Sequence, residues 1–134
     1  MKEEEALRLV NSFNFSADKA YPLKNEASGR VYWRATNQSE SIILCFLDPS
    51  LGNHNKFIDI SEQLSANDIS GVKVLHHDEK HGITIQNDLG DNDLLKVLDE
   101  NNKQELLNKS LDLLIDIQNT VSYTHLTLPT IRSV

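Results

Sequence analysis

Arg30 and Arg34 carry the clearest chemical promise in this 134-residue chain. They bracket Tyr32 and Trp33 in Arg30-Val31-Tyr32-Trp33-Arg34-Ala35-Thr36, where Val31, Trp33 and Ala35 alternate with Arg30, Tyr32, Arg34 and Thr36. Alternation of period two marks a strand, and residues four apart on a strand share a face. Both guanidinium groups then project from the polar side, where their planar donor sets suit phosphate oxygens; a solvated face is the plainer alternative. Directly upstream, Asn25-Glu26-Ala27-Ser28-Gly29-Arg30 is a turn of mostly small and polar residues whose backbone N–H groups can approach a phosphate. A simple hairpin turn accounts for its single glycine equally well.

Other clusters point to no chemistry. His76, His77 and His81 with Asp78 and Glu79 have the composition of a metal set, but adjacent histidines on a strand face opposite ways, and the segment reads as a turn, so a solvated loop is expected. Asp88-Leu89-Gly90-Asp91-Asn92-Asp93 has calcium-loop character, yet its glycine falls at the third position and Asp99, not a glutamate, at the twelfth. Cys45 lies in the most apolar run and reads as a small core residue.

The elements that must position these residues follow from periodicity. Glu4 to Phe13 spaces Ala6, Leu7, Leu9, Val10 and Phe13 along one helical face behind acids that favour a helix start. Ala20 to Lys24 contains Pro22 and reads as a short edge strand, paired in a hairpin with Arg30 to Thr36. Ser41 to Leu47 is a continuous apolar run of the kind a central, doubly covered strand shows. A helix is predicted from about Asn55 to Leu64, then strands at Gly71 to Leu75 and Gly82 to Gln86 around the polar segment His76 to His81. Helices at Asp93 to Leu98 and Lys103 to about Gln118 complete an α+β order of α-β-β-β-α-β-β-α-α: a five-stranded antiparallel sheet with one packed helix, a short helix before it and two after.

Composition bounds the rest. A chain of this size holds one modest core. Its 39% hydrophobic and 25% charged residues suit a folded domain rather than a disordered tract. The net charge of −7 leaves no general footprint for nucleic acid or anionic lipid. Charge is nevertheless uneven. Lys19, Lys24, Arg30 and Arg34 outnumber Glu26 in one segment, whereas acids dominate from Asp88 to Asp116, so a small anion is drawn to the first. The longest apolar run, Ile42 to Leu47, is far below the roughly 20 residues of a membrane span. A single cysteine and an acidic N-terminus fit a cytoplasmic protein.

That element order, with Asn25 through Asn92, resembles the N-lobe of the aminoglycoside phosphotransferase/choline kinase-like superfamily, which is built on the protein-kinase-like plan. The likeness is to its bacterial branch of N-acetylmuramate and N-acetylglucosamine kinases in particular. The matching residues are Ser28, Arg30, Tyr32, Trp33 and Arg34, the strand Ser41 to Leu47 running into Asp48-Pro49, the helix Asn55 to Glu62, and Ile85-Gln86-Asn87-Asp88-Leu89-Gly90. The resemblance implies ATP as phosphate donor with Mg²⁺ in the parent protein. It implies phosphates near Ser28, Gly29, Arg30 and Arg34, Glu62 as an organising acid, and an inter-lobe linker from Gln86 through Asn87, Asp88 and Leu89 to Gly90 whose backbone holds adenine. Two departures stand out: Asn87 replaces the usual acid, and Ser41 to Leu47 has no lysine to grip the nucleotide.

The tail breaks character after Thr120. Val121 to Thr130 matches, residue for residue, one reading frame of a transposase sequencing-library adapter, and Ile131 to Val134 fit its barcode and stop. The expected organisation is therefore an N-lobe at 1–90, a linker and the first helices of a truncated second lobe at 91–120, and a non-native tail at 121–134. The expected function is the nucleotide-binding lobe of a sugar or aminoglycoside-type kinase whose catalytic residues lie elsewhere. Its partners would be a nucleotide and a small-molecule acceptor, with no nucleic acid and no membrane. The alternative is a complete, small, acidic protein-interaction module.

Overall fold

The computed structural model describes residues 1–24 and 28–125, with the side chains of 121–125 excepted. Asn25, Glu26 and Ala27 of the expected phosphate-facing turn, and 126–134 of the tail, lie outside the described residues. The chain divides into two units, Met1–Asp59 with Val72–Leu89, and Ile60–Gly71 with Gly90–Val134.

The first unit contains α1 (Glu3–Asn11), β1 (Lys19–Pro22), β2 (Val31–Thr36), β3 (Ser41–Phe46), the start of α2 (Asn55–Ala66), β4 (Val74–Asp78) and β5 (Ile83–Asn87). Its five strands form one antiparallel sheet in the order β1-β2-β3-β5-β4. The apolar run of β3 is thus the central strand, as its composition demanded, and proline-bearing β1 lies at an edge, where Pro22 has no central ladder to break.

Alternation divides the sheet into two faces. Val31, Trp33 and Ala35 of β2, Ile42, Leu44 and Phe46 of β3, and Ile83 and Ile85 of β5 pack with Ala6 and Val10 of α1 into one core cluster. Amphipathic α1 therefore closes this side, with Glu3, Glu4 and Glu5 in its first turn complementing the helix dipole. Leu44 and Ile85, at or near zero exposure, each stabilise the unit by about 1.5–3 kcal/mol through burial. Trp33 supplies ring area to the same cluster even though its Nε1–H has no partner among the described residues, so apolar burial outweighs one unmet donor. The opposite face carries Tyr32, Arg34, Ile43, Cys45, Thr84 and Gln86.

β4 departs from the sequence expectation. It spans Val74–Asp78, not Gly71 to Leu75, so His76 and His77 are exposed to solvent as expected but stand in a strand and not in a turn. A register shift between Val74 and His76 inserts Leu75 as an extra residue, and the edge position lets a polar strand pair on one side only. Adjacent histidines do face opposite ways: His76 stacks on Phe13, just after α1, at 5.5 Å between ring centroids, while His77 pairs with Thr84 on the other face.

The second unit holds the remainder of α2, α3 (Leu94–Val97) and α4 (Lys103–His125). Asp93 caps α3 by accepting from the Lys96 N–H at 2.9 Å. Asp99 then accepts from the N–H groups of Asn101 and Asn102, which closes the turn into α4. The helix continues through Val121–His125, past the predicted end near Gln118. Leu111, Leu114 and Ile115 on α4 are half-exposed. No helix is long and apolar enough to cross a membrane among the described residues.

Candidate functional site

Register places the two expected binding segments at opposite ends of the sheet face that carries Arg34. Val31, Phe46 and Ile83 form one terminal row, and the Ser28-Gly29-Arg30 turn leads into it. Thr36 and Ser41 form the other, and Asp88 follows β5 beside them. Five residue steps separate the rows, about 17 Å along the strands.

At the first end Gly29 has φ +81, a left-handed conformation that glycine adopts without penalty, and the Arg30 N–H donates to Ser28 Oγ at 3.4 Å. The Arg30 side chain is half-buried and its Nη2 donates to the Asn53 carbonyl at 3.2 Å, in the loop that leads into α2. Its charge also reaches the Cys45 thiol and favours the thiolate there. Burial dominates nonetheless: it pushes the Cys45 thiol up against hydrogen bonds from Tyr32 and Thr84 and the charge of Arg30, so this cysteine stays protonated and packs as a core residue.

At the second end Arg34 is not a solvated arginine. It is 7% exposed, and its Nε and Nη2 donate to Asp88 Oδ2 and Oδ1 at 2.7 and 3.0 Å, a two-pronged pairing of planar groups. Ser41 Oγ donates to the same carboxylate. Between the ends, Gln86 is buried and its Nε2 donates to Thr84 Oγ1 at 3.0 Å. Asn87 is tied to Lys73 twice: its N–H donates to the Lys73 carbonyl, and its side-chain oxygen accepts from the Lys73 N–H at 2.7 Å. Leu89 is exposed, and the chain passes into the second unit at Gly90.

The structure therefore brings Arg34 and Asp88 together and sets Ser28, Gly29 and Arg30 at the other end of the face. Glu62 lies exposed in the second unit. Sequence reading missed two further contacts. His54 is buried and its Nε2 donates to the Gly82 carbonyl at 2.9 Å, which also accepts from the Leu47 N–H. Its position in the polar loop before α2 gave no sign of burial. The turn after β3 is set by Asp48, whose Oδ1 accepts from the backbone and side chain of Ser50; those bonds, the backbone one first, hold its carboxyl below the usual range. Asp78 is lowered likewise by its hydrogen bond with His81 at 2.7 Å.

Among the described residues, no group of three or more His, Cys, Asp or Glu is placed to hold a metal ion. No protein-family model matches this chain, and neither a curated protein nor a solved structure does.

Proposed function

We propose that this chain is the nucleotide-holding lobe of a cytoplasmic small-molecule phosphotransferase, whose parent moves the γ-phosphate of ATP to a hydroxyl of a sugar, aminoglycoside or related acceptor. One observation carries the reading: a glycine turn with an arginine and the linker after β5 flank a single face of a five-stranded antiparallel sheet, one at each end. A nucleotide that reaches both ends would put phosphates at Ser28, Gly29 and Arg30 and its base at the Gln86 to Gly90 backbone, past the buried Ile43, Cys45, Thr84 and Gln86 between them. Of the basic residues between Lys19 and Arg34, Arg30 favours the phosphate end electrostatically, whereas Lys19 is paired with Thr36 and Arg34 with Asp88 at the other end.

The residues at hand suit ATP better than Mg²⁺. Asp88, the carboxylate nearest the sheet face in the linker, is already bound by Arg34 and Ser41, and no metal-ligating set exists among the described residues. On the plan that the sequence resembles, the metal and the catalytic base come from the parent's second lobe and Glu62 is the helix acid. Leu107, Leu111 and Leu114 form one helical stripe on α4.

The test is an NMR titration of the chain with ATP and with adenosine. Arg30→Ala is expected to weaken ATP by about tenfold or more, the worth of a charged hydrogen bond to phosphate, and to leave adenosine unchanged. Equal ATP affinity in wild type and Arg30→Ala would remove the phosphate end from the reading.

A further inference from the structure

An arginine on a polar strand face suits phosphates, but the position of Arg34 in the sheet argues otherwise. It pairs across the strands with Ile43, which pairs with Gln86, and so it stands toward the Ser41 end of β3 and away from the Ser28-Gly29-Arg30 turn. Both its Nε and its Nη2 point into Asp88, and the pair is nearly dry, with side-chain exposures of 9% and 10%. Two charges taken out of water to this degree persist where their geometry is enforced. Arg34 donates two hydrogen bonds to the Asp88 carboxylate and Ser41 donates another. Asn87 adds its double tie to Lys73 one residue earlier.

We infer that Arg34 is a positioning residue for the base end of the nucleotide site and not a phosphate ligand: through Asp88 it fixes the path of the backbone at Leu89. This rests on the nucleotide reading above for its functional meaning, though the fixing of Leu89 stands by itself. A guanidinium is required because two parallel N–H donors lock the carboxylate plane, and with it the Asp88 backbone, whereas a lysine ammonium gives one adjustable point contact. The chemistry presented at Leu89 is backbone N–H and C=O beside an exposed apolar side chain, which suits the edge and face of a planar heteroaromatic base.

The experiment uses the full chain as wild type, Arg34→Lys and Asp88→Asn, each first shown to keep a dispersed ¹⁵N spectrum. Two readouts are taken. The first is the ¹⁵N order parameter of the Leu89 amide: a value in the rigid range near 0.85 is expected in wild type and one below about 0.6 in both variants. The second is NMR affinity for adenosine and for inorganic tripolyphosphate, the separate halves of ATP. Arg34→Lys is expected to weaken adenosine by about tenfold and leave tripolyphosphate within twofold. Loss of tripolyphosphate with adenosine unchanged would overturn the inference and return Arg34 to the phosphates. An unchanged order parameter at Leu89 would overturn it as well. If the variants loosen Leu89 while wild type binds neither probe, the positioning role holds and the nucleotide reading fails. Should Arg34→Lys not fold, Asp88→Asn alone decides between these outcomes. Should neither fold, Ser41→Ala, which removes one donor to Asp88 and leaves both charges, carries the same two readouts with a smaller expected change.

Discussion

Arg34→Ala is expected to cost about 3–5 kcal/mol of folding free energy, because it leaves the Asp88 carboxylate buried without its counter-charge. That is a large part of the 5–15 kcal/mol available to a domain of ordinary stability. The reason is desolvation and not the strength of the pair as such. Removing both charges together, in Arg34→Met with Asp88→Leu, should recover most of the loss, since neither charge is then left buried without the other, although the Ser41 hydroxyl loses its acceptor. The exposed Lys109–Glu105 pair on α4 gives the contrast: at 3.0 Å it has good geometry, but both side chains are 69% exposed, and Glu105→Ala should shift stability by no more than about 0.5 kcal/mol. Urea unfolding of the three variants checks the set, with the midpoint moving and the slope unchanged. A double variant as unstable as Arg34→Ala alone would mean that the pair contributes specific stability beyond mutual neutralisation.

Gly82→Ala should be nearly as damaging for a wholly different reason. Gly82 has φ +69 at the turn into β5, and an added Cβ would lie 1.9 Å from the Leu47 carbonyl oxygen. That oxygen cannot swing aside cheaply. The Leu47 N–H donates to the Gly82 carbonyl at 2.9 Å, and His54 Nε2 donates to the same carbonyl, so moving either backbone disturbs both bonds. A left-handed penalty of about 1–2 kcal/mol and the loss of hydrogen bonds worth about 1 kcal/mol each bring the cost to about 3 kcal/mol. In a thermal melt this lowers Tm by about 10 °C. Gly90 is the control: its φ is +84, but nothing lies within 4 Å of an added Cβ, so Gly90→Ala should show the conformational penalty alone. Equal losses at the two positions would mean that the close approach at Leu47 is absorbed without strain.

The sheet was legible because its signals are local. The six-residue apolar strand of β3, Pro22 in β1 and the alternation of Val31, Trp33 and Ala35 each announce their place to a reader of neighbouring residues. β4 was misplaced by a local exception, the bulge at Leu75, which breaks alternation where the pattern is being counted. The site was less legible because its contacts are distant in sequence. Arg34 and Asp88 are 54 residues apart, and nothing near either one marks them as a buried pair rather than two solvated charges. His54 and Gly82 are 28 apart, and a glycine in a polar turn looks the same whether or not a carbonyl presses against it. Face could be read from the strand pattern; which end of the face each residue serves required the register.

The central claim is that the two ends of one sheet face, the Ser28-Gly29-Arg30 turn and the linker at Leu89, together hold a nucleotide, and chemical-shift mapping during an ATP titration tests it most directly. Saturable shifts at Gly29 and Arg30 and again at Leu89, with α1 and its side of the sheet silent, are the predicted footprint. Shifts confined to the α1 side, or no saturable response anywhere at millimolar ATP, would contradict it.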